Sequence, residues 1–174
     1  MTKTKRFELD LPATGNRDRN GLGQVLGFVS YPQKDRQGFY YRTEYVGRSG
    51  VEEAFDDSLR GTNGSQLIEV NARGEVISAG TVAAPRSGEE IELSIDAELS
   101  EALYEIIATS SRQAGFRSGA AAVMDVRTGE LIALTSFPSF DPEVMADGEN
   151  VELIEQYNND ARLPFLNKLI GGVY

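Results

Sequence analysis

A serine hydroxyl becomes a nucleophile only when a nearby base takes its proton. On a helix, the spacing S-x-x-K supplies that base one turn away on the same face. The chain has four lysines, Lys3, Lys5, Lys34 and Lys168. Phe165 stands three residues before Lys168, and Tyr31 stands three before Lys34, so no S-x-x-K exists. Histidine and cysteine are both absent. Their absence removes Ser-His-Asp and Cys-His systems, imidazole and thiolate metal sites, thiol catalysis and disulfides. A catalyst built from this chain alone would have to use carboxylates, lysine, tyrosine or serine.

The carboxylates cluster at Glu52/Glu53 with Asp56/Asp57 and at Glu89, Glu90 and Glu92. Acid–base pairs need two carboxyls in different environments across a cleft, and hard cations need several oxygens converging from one loop. Glu53, Asp56 and Asp57 are expected on the solvent side of an amphipathic helix instead, and the segment DPEVMADGEN lacks the EF-hand spacing. Tyr40, Tyr41, Tyr45 and Tyr174, with Phe28 and Phe39, could form a carbohydrate-stacking surface, but half-buried sheet aromatics are the commoner use. Gly47, Gly50, Gly61 and Gly64 lack the Gly-Lys-Ser/Thr ending of a phosphate loop and read as backbone punctuation. No metal and no cofactor is expected.

The net charge of −10 and a sequence pI near 4.6 give a surface that repels phosphate backbones and anionic lipid, so no nucleic-acid partner is expected. Hydrophobic content of 40% with 25% charged residues is ordinary for a globular chain. No stretch approaches the roughly 20 apolar residues that cross a bilayer.

Several elements must position whatever the chain does. Phe7, Leu9 and Leu11 alternate with Glu8 and Asp10 as in a short strand, and a Gly-rich loop comes next. VLGFVSY at 25–31 reads as a buried strand. In GRSGVEEAFDDSLRG, Ser49 and Glu52 have capping-box spacing, Val51, Phe55 and Leu59 form one stripe, and Gly61 can end the helix. QLIEVNARGEVIS reads as a hairpin with Arg73-Gly74 near its turn. The loop at 83–90 marks a boundary between domains at 1–88 and 89–174. IELSI reads as a strand, and Asp96 caps a helix whose Leu99, Leu103, Ile106 and Ile107 face one way. AAAVMDV and ELIALTS flank the turn Arg127-Thr128-Gly129, and the consecutive apolar positions Leu131–Leu134 read as a strand buried on both faces. PSFDPEVMADGEN reads as loop, VELIEQYNN as helix, and LPFLNKLIGGVY as an apolar segment. Strands and helices do not alternate strictly, so the class is α+β.

Three segments in order resemble the class B penicillin-binding proteins, monofunctional peptidoglycan D,D-transpeptidases. The span 44–77 is similar to the pedestal (dimerisation) module, matched at Gly47, Gly50, Val51, Glu52, Leu59, Arg60, Gly61, Gly64, Val70, Asn71, Ala72, Arg73 and Gly74. IELSIDAELSEALYE, with Asp96, followed by AAAVMDVRTGELIALTSFPSFDP, resembles the opening helix and hairpin of the transpeptidase domain. NNDARLPFLNKLIGGVY resembles the segment that in the family runs into PPGS-x-x-K, whose serine is the acyl-enzyme nucleophile. The resemblance covers about 24–174. It departs at GNRDRNG, which lies directly beside the pedestal strand, whereas the family carries an R-G-x-x-x-D-R-x-G element far upstream.

The resemblance implies a small mixed pedestal domain at 1–88, followed at 89–174 by an incomplete α/β transpeptidase domain with an antiparallel hairpin. It implies that the chain is a non-catalytic front part, stopping short of the nucleophile, whose job is to position the catalytic domain. Arg127-Thr128-Gly129 is superficially like the family's K-[ST]-G, but a hairpin turn needs a glycine there anyway. The implied partners are a SEDS-type glycan polymerase and other cell-wall synthesis proteins, with peptidoglycan and β-lactams engaged only through the absent catalytic part. The implied place is the extracytoplasmic face of the bacterial cytoplasmic membrane, with the anchor outside this chain. Exposed strand edges of 119–136 are expected to promote self-association. Two rivals stand beside this reading: an autonomous interaction module with no catalytic half, and a small carboxylate-dependent hydrolase.

Overall fold

The structure is a computed structural model and describes residues 20–30, 33–34, 40–42, 45–71, 73 and 76–172. It divides into two compact units, one holding 57–91 and the other holding 20–56 together with 92–172. Among the described residues, strands pair only as two-stranded antiparallel ladders, with helices interspersed. This is the α+β arrangement expected.

Among the described residues of the larger unit, a single-turn helix, α1 (Gly23–Leu26), comes first, where a buried strand over 25–31 was expected. Gly27, at φ 75°, ends that turn. Only Val29–Ser30 (β1) remain extended, and they pair with Val46–Gly47 (β4). Between them lie β2 (Gln33–Lys34) and β3 (Tyr40–Arg42), paired with each other.

The expected capping-box helix is two short pieces, α2 (Gly50–Ala54) and α3 (Asp56–Leu59). Ser49 makes no side-chain cap hydrogen bond. The apolar stripe is also incomplete: Leu59 is buried, but Phe55 is 44% exposed where the two pieces meet. Asp56 is not on the solvent side, since its Oδ1 accepts from the Gly47 N–H at 2.9 Å.

The smaller unit is built on a hairpin of β5 (Ser65–Val70) and β6 (Val76–Ala83), as the sequence pattern predicts. The Arg73 N–H donates to the Asn71 side chain at 2.9 Å, a local bond typical of Asn at turns. Thr62 and Arg86 exchange two backbone hydrogen bonds, of 2.9 and 3.0 Å, and tie the base of the hairpin.

The larger unit resumes at IELSI, which is not a strand. Ser94 Oγ and the Asp96 N–H donate to Leu131 O and Ile132 O, at 2.9 and 2.6 Å, and these bonds tether the segment without building a ladder. Asp96 caps α4 (Ala97–Ala114), accepting from the Leu99 N–H at 2.9 Å, and Gly115 closes it in the left-handed conformation. Its buried stripe is Ser100, Ala108 and Ser111, while Ile106 is 61% exposed. Small residues on this stripe let the helix approach the hairpin of β7 (Gly119–Met124) and β8 (Leu131–Phe137). Ala133, Leu134, Thr135 and Ser136 are buried in succession, while Leu131 and Ile132 are half-buried, so the two-sided burial expected over Leu131–Leu134 falls two residues later in β8. Arg127, Thr128 and Gly129 form the connecting turn, with Gly129 at φ 80°.

The expected loop after Phe140 contains a helix, α5 (Pro142–Asp147), capped by Asp141 and closed by Gly148 at φ 65°. Proline at the first helical position and Asp before it are start signals. Helices α6 (Val151–Asn159) and α7 (Lys168–Gly171) come next, capped by the side chains of Asn150 and Asn167. The expected strand at Phe7–Leu11, the side chains of Phe39, Tyr40 and Tyr41, Tyr174, and most of GNRDRNG lie outside the described residues.

Candidate functional site

The residues singled out in the sequence do not converge on one constellation. Gly47 is buried in β4, and a Cβ there would lie 1.9 Å from Glu52 O. Gly50 opens α2 at φ 61°, and its Cβ would lie 2.5 Å from Val25 O. Both glycines exist because backbone meets backbone, and Gly50 also takes a dihedral that a side chain resists. Glu52 is 8% exposed on α2. In the other unit, a Cβ at Gly61 or Gly64 would lie 2.1 Å from Arg86 O or 2.6 Å from Pro85 Cδ. Arg60 is half-buried, Asn71 holds the hairpin bond described above, and Arg73 is exposed. Gly74 lies outside the described residues. Asp96 is a helix cap. Those that are described fall in two different units and form no shared constellation.

A second set, which no sequence motif marks, does converge, at the end of β8. Lys168 is 4% exposed, and its Nζ donates to Leu163 O at 2.9 Å and to Pro138 O and Leu166 O at 3.4 Å each. Its own N–H donates to Ser136 Oγ at 3.2 Å, and Ser136 Oγ donates to Leu166 O at 3.3 Å. Gln24 Nε2 donates to Pro164 O at 2.6 Å and to Pro138 O at 3.1 Å, while Ser139 Oγ donates to Gln24 Oε1 at 2.9 Å. Thr135 Oγ1 adds a bond to Gly21 O at 3.0 Å. Burial pushes the Lys168 ammonium below its ordinary value; Asp160 opposes that shift and Arg162 adds to it. Arg162 grips Asp160 at 2.6 and 3.0 Å and holds its carboxyl below the usual range. One signal is legible in the sequence: Lys168 is a lone charge inside the apolar run LPFLNKLIGG.

Beside this network, Phe140 meets Phe28 edge-on with centroids 5.8 Å apart, and lies 4.8 Å from Phe165. With Gln24, Ser49, Met145 and Asn158 these rings line a cavity of about 290 Å³. The cavity could hold an apolar group. It has no proton-transfer pair, and among the described residues no metal-binding cluster exists. No described helix is long and apolar enough to cross a membrane.

With the fold and this geometry in hand, relatives place the chain. Residues 17–93 match the penicillin-binding protein dimerisation domain. The peptidoglycan D,D-transpeptidase MrdA of Escherichia coli K12 is 34% identical over 164 residues, covering 89% of this chain and 25% of that protein. Penicillin-binding protein 3 of Bacillus subtilis is 34% identical over 136 residues, covering 78% of this chain and 19% of that protein. A solved structure described as coordinating polymerization and crosslinking in a peptidoglycan synthase complex aligns at TM-score 0.66 and 32% identity, covering 86% of this chain and 28% of that one. Penicillin-binding protein 2X of Streptococcus thermophilus shares the fold at TM-score 0.64 and 22% identity, covering 86% of this chain and 20% of that one. Residues 17–93 are thus a penicillin-binding protein dimerisation domain, and most of the chain is homologous to penicillin-binding proteins. The chain spans about a quarter of the length of the MrdA relative that it matches.

Proposed function

We propose that this chain is a non-catalytic scaffold part of a peptidoglycan D,D-transpeptidase, with a pedestal at 1–88 and the opening of the transpeptidase domain at 89–174. It sets the orientation of the catalytic domain on the extracytoplasmic face of the bacterial cytoplasmic membrane, where a SEDS-type glycan polymerase and other cell-wall proteins are its partners. The observation that carries the reading is the match over 89% of the chain to a D,D-transpeptidase, in a chain with no S-x-x-K of its own. Crosslinking and acylation by β-lactams belong, on this reading, to the catalytic part that this chain orients.

Incubation with a fluorescent penicillin tests the catalytic half of the proposal. The expected outcome is no covalent label. Labelling that excess unlabelled penicillin competes away would refute it. Binding to a SEDS-type polymerase in lipid nanodiscs tests the scaffold half, and loss of that binding in a chain lacking 57–91 is the expected result.

A further inference from the structure

We infer that Lys168 is a positioning residue: with Gln24 it clamps the main-chain carbonyls of Pro138, Leu163, Pro164 and Leu166, and so fixes the path by which the chain leaves β8 and enters α7. Leu163 stands at φ 55° directly before a proline, a position where the α regions are disfavoured, and a left-handed backbone is unfavourable for any residue with a Cβ. The turn therefore needs an external tie. Lys168 Nζ donates at 2.9 Å to the carbonyl of that same Leu163, and Gln24 Nε2 donates at 2.6 Å to the next carbonyl, Pro164 O.

A buried ammonium is costly unless its protons are satisfied, and the carbonyls of Pro138, Leu163 and Leu166 all lie within reach of its donors. Asp160, held by Arg162, supplies the nearby negative charge. An exposed lysine would do none of this. The clamp joins three stretches far apart in sequence, around Gln24, around Pro138 and from Leu163 to Lys168, all within one compact unit. Its significance rests on the scaffold reading above, in which the direction of this segment helps to orient the catalytic part. Its existence does not, because the experiment reads only this chain's own motions.

Hydrogen exchange on the full chain tests the clamp in the K168M and K168M/L163G variants. In K168M the amides of Leu166, Ile170 and Gly171, which close the turn and α7, should exchange at least tenfold faster, while the 65–83 hairpin is unchanged. Leu163 is 57% exposed, so L163G removes little packing, yet glycine takes the positive φ without strain. Adding L163G should therefore slow exchange again, by two- to fivefold. A general core defect would not be repaired by deleting an exposed side chain. Exchange in K168M within twofold of the parent, or no recovery in the double variant, would overturn the inference. Should K168M fail to fold, the parent chain still decides. The Lys168 ammonium protons should give a slowly exchanging NMR resonance at neutral pH, and fast exchange with water there would overturn the clamp.

Discussion

An alanine at Gly61 would place its methyl carbon 2.1 Å from Arg86 O and 2.9 Å from the Gly88 nitrogen. The first distance is more than 1 Å inside ordinary contact, and the obstructing atoms are backbone, which cannot swing aside. The strand exit must move, and the Thr62–Arg86 pair, whose two hydrogen bonds are 2.9 and 3.0 Å, is the nearest structure to give. Losing one of those bonds costs about 1 kcal/mol, and forcing a carbon into packed backbone costs about 1–3 kcal/mol. G61A should therefore destabilise the 57–91 unit by about 3 kcal/mol, roughly a hundredfold in local opening. Two units need not unfold together, so the assay is amide exchange over 65–83 rather than a melting midpoint. G80A is the internal control. It lies on β6 of the same hairpin, at an ordinary φ, with nothing within 4 Å of its added Cβ. It should exchange no faster than the parent, and a small gain of about 0.5 kcal/mol is expected from the stiffened unfolded chain. Close approach at Gly61 is refuted if G61A stays within threefold of the parent, or if G80A loosens the hairpin as much.

D96A should cost about 1 kcal/mol, because Asp96 caps the 18-residue helix α4, whereas S49A should be neutral or slightly stabilising because the Ser49 hydroxyl is buried and makes no hydrogen bond; urea denaturation distinguishes them. F140A should cost about 3 kcal/mol, the low end for a buried phenylalanine because a cavity already adjoins the ring, and unfolding followed by near-ultraviolet circular dichroism reads it. The depressed pKa of Asp160 makes a contribution that is fully present above about pH 4 and is lost as pH falls below that value. Its partner Arg162 is half-exposed, so the contribution is at most about 1 kcal/mol. Protection over 160–172, with the intrinsic pH dependence of amide exchange divided out, should fall by up to about fivefold as pH drops below about 4 in the parent and stay flatter in D160N.

The parts of the fold legible in the sequence are those fixed by local chemistry. Asp96 ahead of an amphipathic run, and Arg-Thr-Gly between two apolar stretches, specify a capped helix and a hairpin without help from distant residues. The parts that differ from expectation depend on partners far along the chain. VLGFVSY has the composition of a strand, but Gly27 must pass within touching distance of Ser49, and the resulting turn consumes the first half of the run. Ser49 and Glu52 have capping-box spacing, yet Glu52 is buried and Ser49 forms no cap bond, so a two-residue signature yields to tertiary packing. Ile106 is apolar and so belongs, by pattern, on the buried face of α4. The helix instead turns its serines inward, since only small side chains allow close approach to β8. Spacing alone could not reveal the Lys168 network, in which Gln24 lies more than a hundred residues from the carbonyls that it holds.

The direction in which buried hydroxyls point bears on function more than their number does. A catalytic serine must offer its proton to a base and its oxygen to a substrate. In the larger unit Ser100 donates to Asp96 O, Ser111 to Phe116 O, Thr135 to Gly21 O and Ser136 to Leu166 O. A main-chain carbonyl accepts such a proton in a hydrogen bond but does not remove it. Lys168, the one buried amine near these hydroxyls among the described residues, points its Nζ at carbonyls too. These donors hold chain segments together at both ends of α4, at the end of β8 and in the 160–168 turn. That arrangement is suited to transmitting a fixed geometry. Freeing any one of these hydroxyls would cost a contact that keeps two stretches of chain in place.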